Sequence, residues 1–264
     1  MVTLMAALAS IADTERYPLA ISAFRDSCRK TLAETGILVL PEFLLPEATR
    51  SVRREGDEMQ DHAYFCVQNH NAYLSPPDPD YHADHPRNRK VVSSKGCITD
   101  DQVAPDSPLR TLYDSTEFRD FLCAVLGERS LYEYADPLSS INLNYAHRGQ
   151  ELGWHFDNSS FSITLMVQAP EEGGEFEYVT AVRDADAGEM NFEMTARIFD
   201  GDIEPARLIA EAGTLVLFRG RNAIHRVAPV AGNRARMLAV LAYNSLPGIA
   251  LSESARMTFF GRLS

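Results

Sequence analysis

Cysteine is scarce and scattered. The chain of 264 residues has four, Cys28, Cys66, Cys97 and Cys123, with no Cys-x-x-Cys pair among them. That spacing excludes a cysteine-rich zinc cluster and a dense disulfide framework, and it fits free, mostly buried thiols in a reducing cytoplasm. Positive charge is also in short supply. Against 37 Asp and Glu there are 25 Lys and Arg, a formal net charge of -12. There is no basic footprint to neutralise phosphates, so nucleic acid is not an expected partner, and an anionic membrane surface is disfavoured as well. No apolar run approaches the roughly 18 residues that span a bilayer. Residues 1–8 are apolar but lack a basic leader, and Asp13, Glu15 and Arg16 follow quickly, unlike a signal peptide. Internal repeats and low-complexity tracts are missing too. The expected location is therefore the cytoplasm, and the expected partner a small molecule. What is present is ordinary: a hydrophobic content of 45% and a charged content of 23% describe a globular protein able to bury a sizeable core.

Along the chain, residues 17–36 place Leu19, Ile21, Phe24, Cys28 and Leu32 near the helical period, with Gly36 as a stop. Residues 37–40 form a short apolar strand ended by Pro41, and Pro46 opens a second helix with Ala48, Val52 and Met59 inward. Residues 69–89 hold Pro76, Pro77, Pro79 and Pro86 among Asp, His and Tyr, a long loop of the kind that serves as a lid or binding loop. Residues 107–126 predict one more helix, with Leu109, Leu112, Phe118, Leu122 and Val125 on one side and Gly127 at its end. After Tyr132 the pattern becomes strand-like, at residues 141–145, 161–167, 175–179, 214–218 and 236–243, the third of these following the turn Gly173-Gly174. Many short strands punctuated by Gly, Pro and Asn read as a sandwich or barrel. The expected architecture is one domain over residues 1–264, mainly β with flanking helices. Residues 1–130 supply mostly helical support and the lid loop, residues 131–250 the β core, and residues 251–264 a C-terminal tail.

The chemistry gathers in Gly153-Trp154-His155-Phe156-Asp157 and in Asn222-Ala223-Ile224-His225-Arg226-Val227. Side chains at i and i+2 of a strand share a face, so His155 and Asp157 project together and Trp154 projects the other way as a packing residue. A second imidazole from a distant strand, His225, would complete a face of two His and one carboxylate. With open positions opposite, that is the ligand set of non-haem Fe(II) oxygenases. A bare His-x-Asp also arises as a surface His beside a solvated Asp. His82-Ala83-Asp84 is such a repeat, inside the Pro-rich loop where no strand would align the pair.

The ordered series Asn144-Tyr145, Gly153-Trp154-His155-Phe156-Asp157, Gly173-Gly174-Glu175-Phe176, Gly213-Thr214-Leu215-Val216-Leu217-Phe218 and His225-x-x-x-Pro229-Val230 resembles the Fe(II)/2-oxoglutarate-dependent dioxygenases, in the prolyl-hydroxylase-like layout, over roughly residues 132–243. The resemblance implies a double-stranded β-helix (jelly roll) with iron at one mouth. It implies His155, Asp157 and His225 as the Fe(II) ligands, and 2-oxoglutarate and O2 as cosubstrates. It also implies a basic residue on a late strand for the distal carboxylate of 2-oxoglutarate. Arg234 and Arg236, nine and eleven residues after His225, both fit and in a strand would share a face. Arg236 is preferred because the apolar strand starts just after it, and a planar guanidinium pairs a carboxylate through two parallel bonds. Asn144 or Tyr145 could reach 2-oxoglutarate from the neighbouring strand, Tyr145 serving equally well as a core aromatic.

A closer resemblance joins residues 151–157, 168–178 and 251–262 to the bacterial amino-acid (lysine) radical halogenases and their hydroxylase relatives, which act on free amino acids. In the halogenases a Gly replaces the carboxylate ligand and leaves room for chloride; here the position holds Asp157. The implied activity is hydroxylation of an unactivated C–H bond of a free amino acid or amino-acid-like metabolite, with release of succinate and CO2. Arg87 and Arg89 beside the loop could grip a substrate carboxylate, and Asn158 could touch substrate; all three are equally at home as solvated loop groups. Two other readings share the scaffold: a peptidyl (prolyl-type) hydroxylase, and a non-redox, cupin-like metal protein, which has no need of a carboxylate clamp at Arg234 or Arg236.

Overall fold

The computed structural model describes residues 8–264, so residues 1–7 of the apolar N-terminal stretch lie outside the described residues. Strand β1 (Ile37–Leu40) follows helix α1 (Ser22–Thr35) through Gly36, which takes the left-handed conformation (φ 75°) and returns its N–H to the Leu32 carbonyl. Pro46 opens α2 (Pro46–Met59), where its missing N–H costs nothing. Residues 107–126 form two helices, α3 (Pro108–Asp114) and α4 (Thr116–Leu126), where the apolar pattern predicts one. Ser115 makes the break: its backbone is extended and its side chain caps the second helix by accepting from the Phe118 N–H. The periodicity runs on across the break because both helices bury the same face.

Two strands occupy a region that reads as helical support and loop. β2 (Tyr64–Asn71) and β3 (Lys90–Ile98) form an antiparallel ribbon, so the Pro-rich loop starts after Asn71. β2 leaves Tyr64, Phe65 and Val67 exposed, and its alternation is correspondingly faint in the sequence. The remaining strands fall close to the expected segments: β4 (Ile141–Ala146), β5 (Leu152–His155), β6 (Ser162–Gln168), β7 (Phe176–Val179), β8 (Ala206–Leu208), β9 (Leu215–Phe218), β10 (Ile224–Val227) and β11 (Arg236–Leu241). Helix α5 (Phe192–Phe199) lies between β7 and β8, and the C-terminal tail contains α6 (Glu253–Phe260).

All pairings are antiparallel, in the order β1-β9-β6-β11-β4-β3-β5-β10-β7-β8, with β2 on the free side of β3. β3 turns the corner. Gly96, Cys97 and Ile98 pair with β4, while Ser93 pairs with Leu152 of β5. The sheet thus curls into two facing halves, a sandwich as the strand pattern predicts and the jelly roll that the resemblance implies. On β11, Met237, Ala239 and Leu241 point outward into a core shared with Leu32, Phe118, Phe121 and Leu122 of the helices. Arg236, Leu238 and Val240 point inward to a cavity between the halves. The period of two separates a helix-packed face from a site-forming face on every central strand. Among the described residues, no helix is long and apolar enough to cross a membrane.

Candidate metal centre

β5 and β10 are neighbours, and the register sets His225 directly opposite His155. Their rings lie 4.2 Å apart, centroid to centroid. Asp157 sits just past the end of β5. The chain stays extended there because the Phe156 N–H donates to the Ala72 carbonyl (2.8 Å) and the Asp157 N–H to the Gly220 carbonyl (3.0 Å). Asp157 Oδ1 is 3.4 Å from His225 Nε2 and 3.7 Å from His155 Nε2. One donor atom from each of the three residues lies within 4.8 Å of the other two.

The electrostatics leave donor atoms free. His155 Nδ1 donates to the Gly153 carbonyl (2.8 Å) and His225 Nδ1 to the Ala223 carbonyl (3.0 Å). A carbonyl can only accept, so each Nδ1 carries a proton, and Nε2 is the ring nitrogen each imidazole turns to the centre. Burial, then the facing His225, pushes His155 down to about 3, so its ring is neutral. For Asp157, burial works against ionisation, but the charge and hydrogen bond of His225 outweigh it and hold the carboxyl below its ordinary value. Asp157 Oδ2 is buried with no hydrogen-bond partner. A carboxylate in that state is short of a cation.

Behind His155 runs a hydrogen-bonded chain with no local signature in the sequence. The Gly153 N–H donates to Ser93 Oγ (3.0 Å), and Ser93 Oγ lies 2.7 Å from His70 Nε2. His70 Nδ1 donates to the Asn71 carbonyl (3.0 Å), which leaves Nε2 to accept the Ser93 hydroxyl. Ser93 and His70 reach the site only through the β2–β3 ribbon. Trp154 faces the opposite way, in a cluster with Phe156 and Ile224, and the Arg226 guanidinium lies over its ring.

The three residues open onto a cavity of about 530 Å³ whose wall includes Arg236, Asn144 and Thr164. Arg236 is 7% exposed and its Nε has no partner; burial pushes the guanidinium down to about 10. The Gly173-Gly174 turn, both residues at positive φ, makes room for it: a Cβ on Gly174 would stand 3.3 Å from Arg236 Cδ. The spacing predicts that Arg234 and Arg236 share a strand face; β11 begins only at Arg236, so Arg234 is outside the strand, although both residues border the cavity. Arg234 lies before it, exposed, with Nε donating to the Ala169 carbonyl (2.9 Å). Tyr145 turns to the helical side, where its hydroxyl donates to the Gly56 carbonyl (2.8 Å). Asn144 faces the cavity and accepts from Lys95 Nζ (2.9 Å).

Arg87, Arg89 and Asn158 do not line this cavity. Arg89 is paired with Asp200 at 2.6 Å, Arg87 stands 3.9 Å from Asp78, and the exposed Asn158 gives its carbonyl to Arg221 (3.1 Å). The Pro-rich loop carries these arginines onto α5, with Tyr81 and His85 stacked on each other and edge-on to Phe192. His82 and Asp84 are exposed within it.

Solved structures share this architecture. An oxidoreductase of the 2OG-Fe(II) oxygenase family from Burkholderia pseudomallei aligns with a TM-score of 0.53 at 15% identity, over 85% of this chain and 92% of its own. A prolyl hydroxylase from Trichoplax adhaerens, in complex with a hypoxia inducible factor peptide, gives 0.56 at 12%, over 85% and 90%. The epimerase SnoN from nogalamycin biosynthesis, in complex with Fe3+, alpha ketoglutarate and nogalamycin RO, gives 0.56 at 12%, over 87% and 93%. At such identities the likeness is one of fold. No curated protein sequence matches the chain. The sequence model described as Halogenase D matches residues 22–255, and with that span the chain belongs to the Halogenase D family.

Proposed function

We propose that the protein is an Fe(II)/2-oxoglutarate-dependent oxygenase that hydroxylates an unactivated C–H bond of a free amino acid or amino-acid-like small metabolite, releasing succinate and CO2. The observation that carries this reading is a convergence in one cavity. Two imidazoles and a carboxylate with an unsatisfied oxygen face a buried guanidinium that forms no ion pair among the described residues. The donor set suits a divalent first-row metal, and the unpaired Asp157 Oδ2 fits a carboxylate awaiting one. Arg236 fits an absent carboxylate in the same way. The SnoN structure holds iron and alpha ketoglutarate together on the same fold.

In this reading His155, Asp157 and His225 hold the metal through Nε2, a carboxylate oxygen and Nε2, leaving the opposite face for the cosubstrates. Bound there, ferrous iron supplies the oxidative decarboxylation of 2-oxoglutarate and the oxidation of the substrate C–H bond. Arg236 orients 2-oxoglutarate by its distal carboxylate, and Thr164 and Asn144 border the same space. The apolar wall of Leu238, Val240, Val216 and Phe218 keeps water from the oxidising centre. Asp157 fills the position that glycine leaves to chloride in the halogenases of the resemblance, which favours hydroxyl transfer over halogenation. The cavity between the sheet halves suits a small molecule better than a peptide, and the unpaired Arg236 has no use in a non-redox cupin.

The test is a succinate-release screen of the purified protein with Fe(II), ascorbate, 2-oxoglutarate and the common free amino acids, with product masses measured. Release with at least one amino acid, together with a mass gain of one oxygen, is expected. No release above a His155→Ala control with any candidate refutes the proposal.

A further inference from the structure

Gly220 lies in the turn that joins β9 to β10, against the carboxylate of Asp157. A Cβ built there would stand 1.9 Å from Asp157 Oδ2, 2.6 Å from Cγ and 3.0 Å from Cβ. No real pair of atoms tolerates the first two distances, so one side has to yield. The turn is pinned. The Arg219 N–H donates to the Gly36 carbonyl (2.9 Å) and its guanidinium to the Leu126 carbonyl (2.6 Å). Arg221 donates to Asp186 (2.8 Å) and to the Asn158 carbonyl (3.1 Å), and the Asn222 side chain accepts from the Ala185 N–H (3.0 Å). The carboxylate is held less firmly: Oδ2 has no hydrogen-bond partner among the described residues, so rotation about the Asp157 side-chain bonds is the easier way to relieve the clash.

We propose that Gly220 is a positioning residue for the metal site: its lack of a side chain forms the seat that aims the Asp157 carboxylate at His155 and His225. The proposal rests on the metal reading above. One added carbon at position 220 swings Oδ1 away from the imidazoles and converts the three-ligand face into a two-histidine face, with the sequence of the ligands unchanged. Whether this chain offers three ligands or two is thus set at position 220 as well as at position 157.

The experiment is a Co(II) titration, followed by visible absorption, of metal-free wild type, Gly220→Ala, Asp157→Gly and the double variant, with urea unfolding of each metal-free protein. Gly220→Ala is expected to weaken Co(II) binding at least tenfold, to within about threefold of Asp157→Gly. In the Asp157→Gly background it is expected to change binding by less than about twofold, because the atom it strikes is gone. Its unfolding midpoint without metal should match that of wild type. Wild-type affinity in Gly220→Ala overturns the proposal, and so does an equal loss in both backgrounds, which makes Gly220 a general scaffold residue. Should Gly220→Ala fail to fold, folding of the double variant supports the steric seat and its failure overturns it. Absence of Co(II) binding by wild type removes the metal reading itself, an outcome distinct from the others.

Discussion

Arg236→Met should move stability and cosubstrate binding in opposite directions. Arg236 is buried, its Nε has no partner among the described residues, and burial alone lowers its guanidinium from its ordinary value to about 10. A base whose folded value is depressed binds protons less well folded than unfolded, so the charge destabilises the ligand-free protein at all pH values below about 10, and the cost fades as pH rises above that toward the ordinary arginine value. The depression corresponds to a few kcal/mol, on the order of 3. Methionine replaces the aliphatic stem without the charge, and buried ion sites replaced by apolar side chains commonly gain about 1–4 kcal/mol. At roughly 2–4 °C per kcal/mol for a chain of this size, the ligand-free melting temperature should rise by about 5 °C at pH 7. Binding should behave in reverse. A buried carboxylate deprived of its charged partner loses about 2–5 kcal/mol. At about 1.4 kcal/mol per tenfold, the Kd for 2-oxoglutarate rises roughly 30-fold to several thousand-fold. Scanning fluorimetry on the ligand-free protein reads the first effect, and calorimetric titration of 2-oxoglutarate into Co(II)-loaded protein reads the second without any knowledge of the substrate. An unchanged Kd in Arg236→Met refutes the clamp, and a large rise in Arg234→Met instead transfers the role to Arg234.

The other expected outcomes are smaller in scope. Asp157→Gly should abolish hydroxylation and, in chloride, give no chlorinated product by mass spectrometry; full hydroxylation would remove Asp157 from the ligand set. Tyr145→Phe loses one hydrogen bond to the Gly56 carbonyl, so urea unfolding should show a loss of about 1 kcal/mol while the affinity for 2-oxoglutarate stays at the wild-type value. Ser93→Ala cuts the link from His70 to the Gly153 N–H, and Co(II) affinity should fall about tenfold through a less well-aimed His155; equal affinity would show that the strand alone aims the ring.

The jelly roll was legible because its central strands bury one face against helices and turn the other to a cavity, so alternation is strong at residues 141–146 and 236–241. The juxtaposition of His155 with His225 was legible as a spacing and a motif, and the antiparallel register of β5 on β10 is what realises it. The β2–β3 ribbon was illegible for the opposite reason. β2 is half solvated on both faces, so neither period dominates, and its placement depends on pairing with β3 rather than on its own pattern. Ser93 and His70 were hidden with it. Arg234 and Arg236 looked equivalent at the level of sequence, and what separates them is where β11 starts: both border the cavity, but Arg234 is exposed and spent on a loop carbonyl, whereas Arg236 is buried. Arg87 and Arg89 failed to reach the cavity because the loop folds onto α5 through Tyr81, His85 and Phe192, an aromatic contact that composition cannot order in space.

On the proposed reading, charge explains how Asp157 can stand where the halogenases of the resemblance have glycine without the rest of the site being rebuilt. On that reading a divalent ion, the Asp157 carboxylate, two imidazole ligands, a 2-oxo diacid and the buried Arg236 would sum to zero, which limits the cost of holding these charges where water is partly excluded. Chloride opposite a glycine carries the same single negative charge as Asp157, so the exchange preserves the total and leaves Arg236, the imidazole tautomers and the apolar wall with unchanged tasks. What the exchange does alter is tethering. The Asp157 carboxylate is covalently delivered and seated by the bare backbone at Gly220, so it cannot leave the metal as a free halide can. On this reading the choice between hydroxyl transfer and halide transfer would fall on a few atoms beside the metal, while the fold and the proposed clamp at Arg236 would serve both.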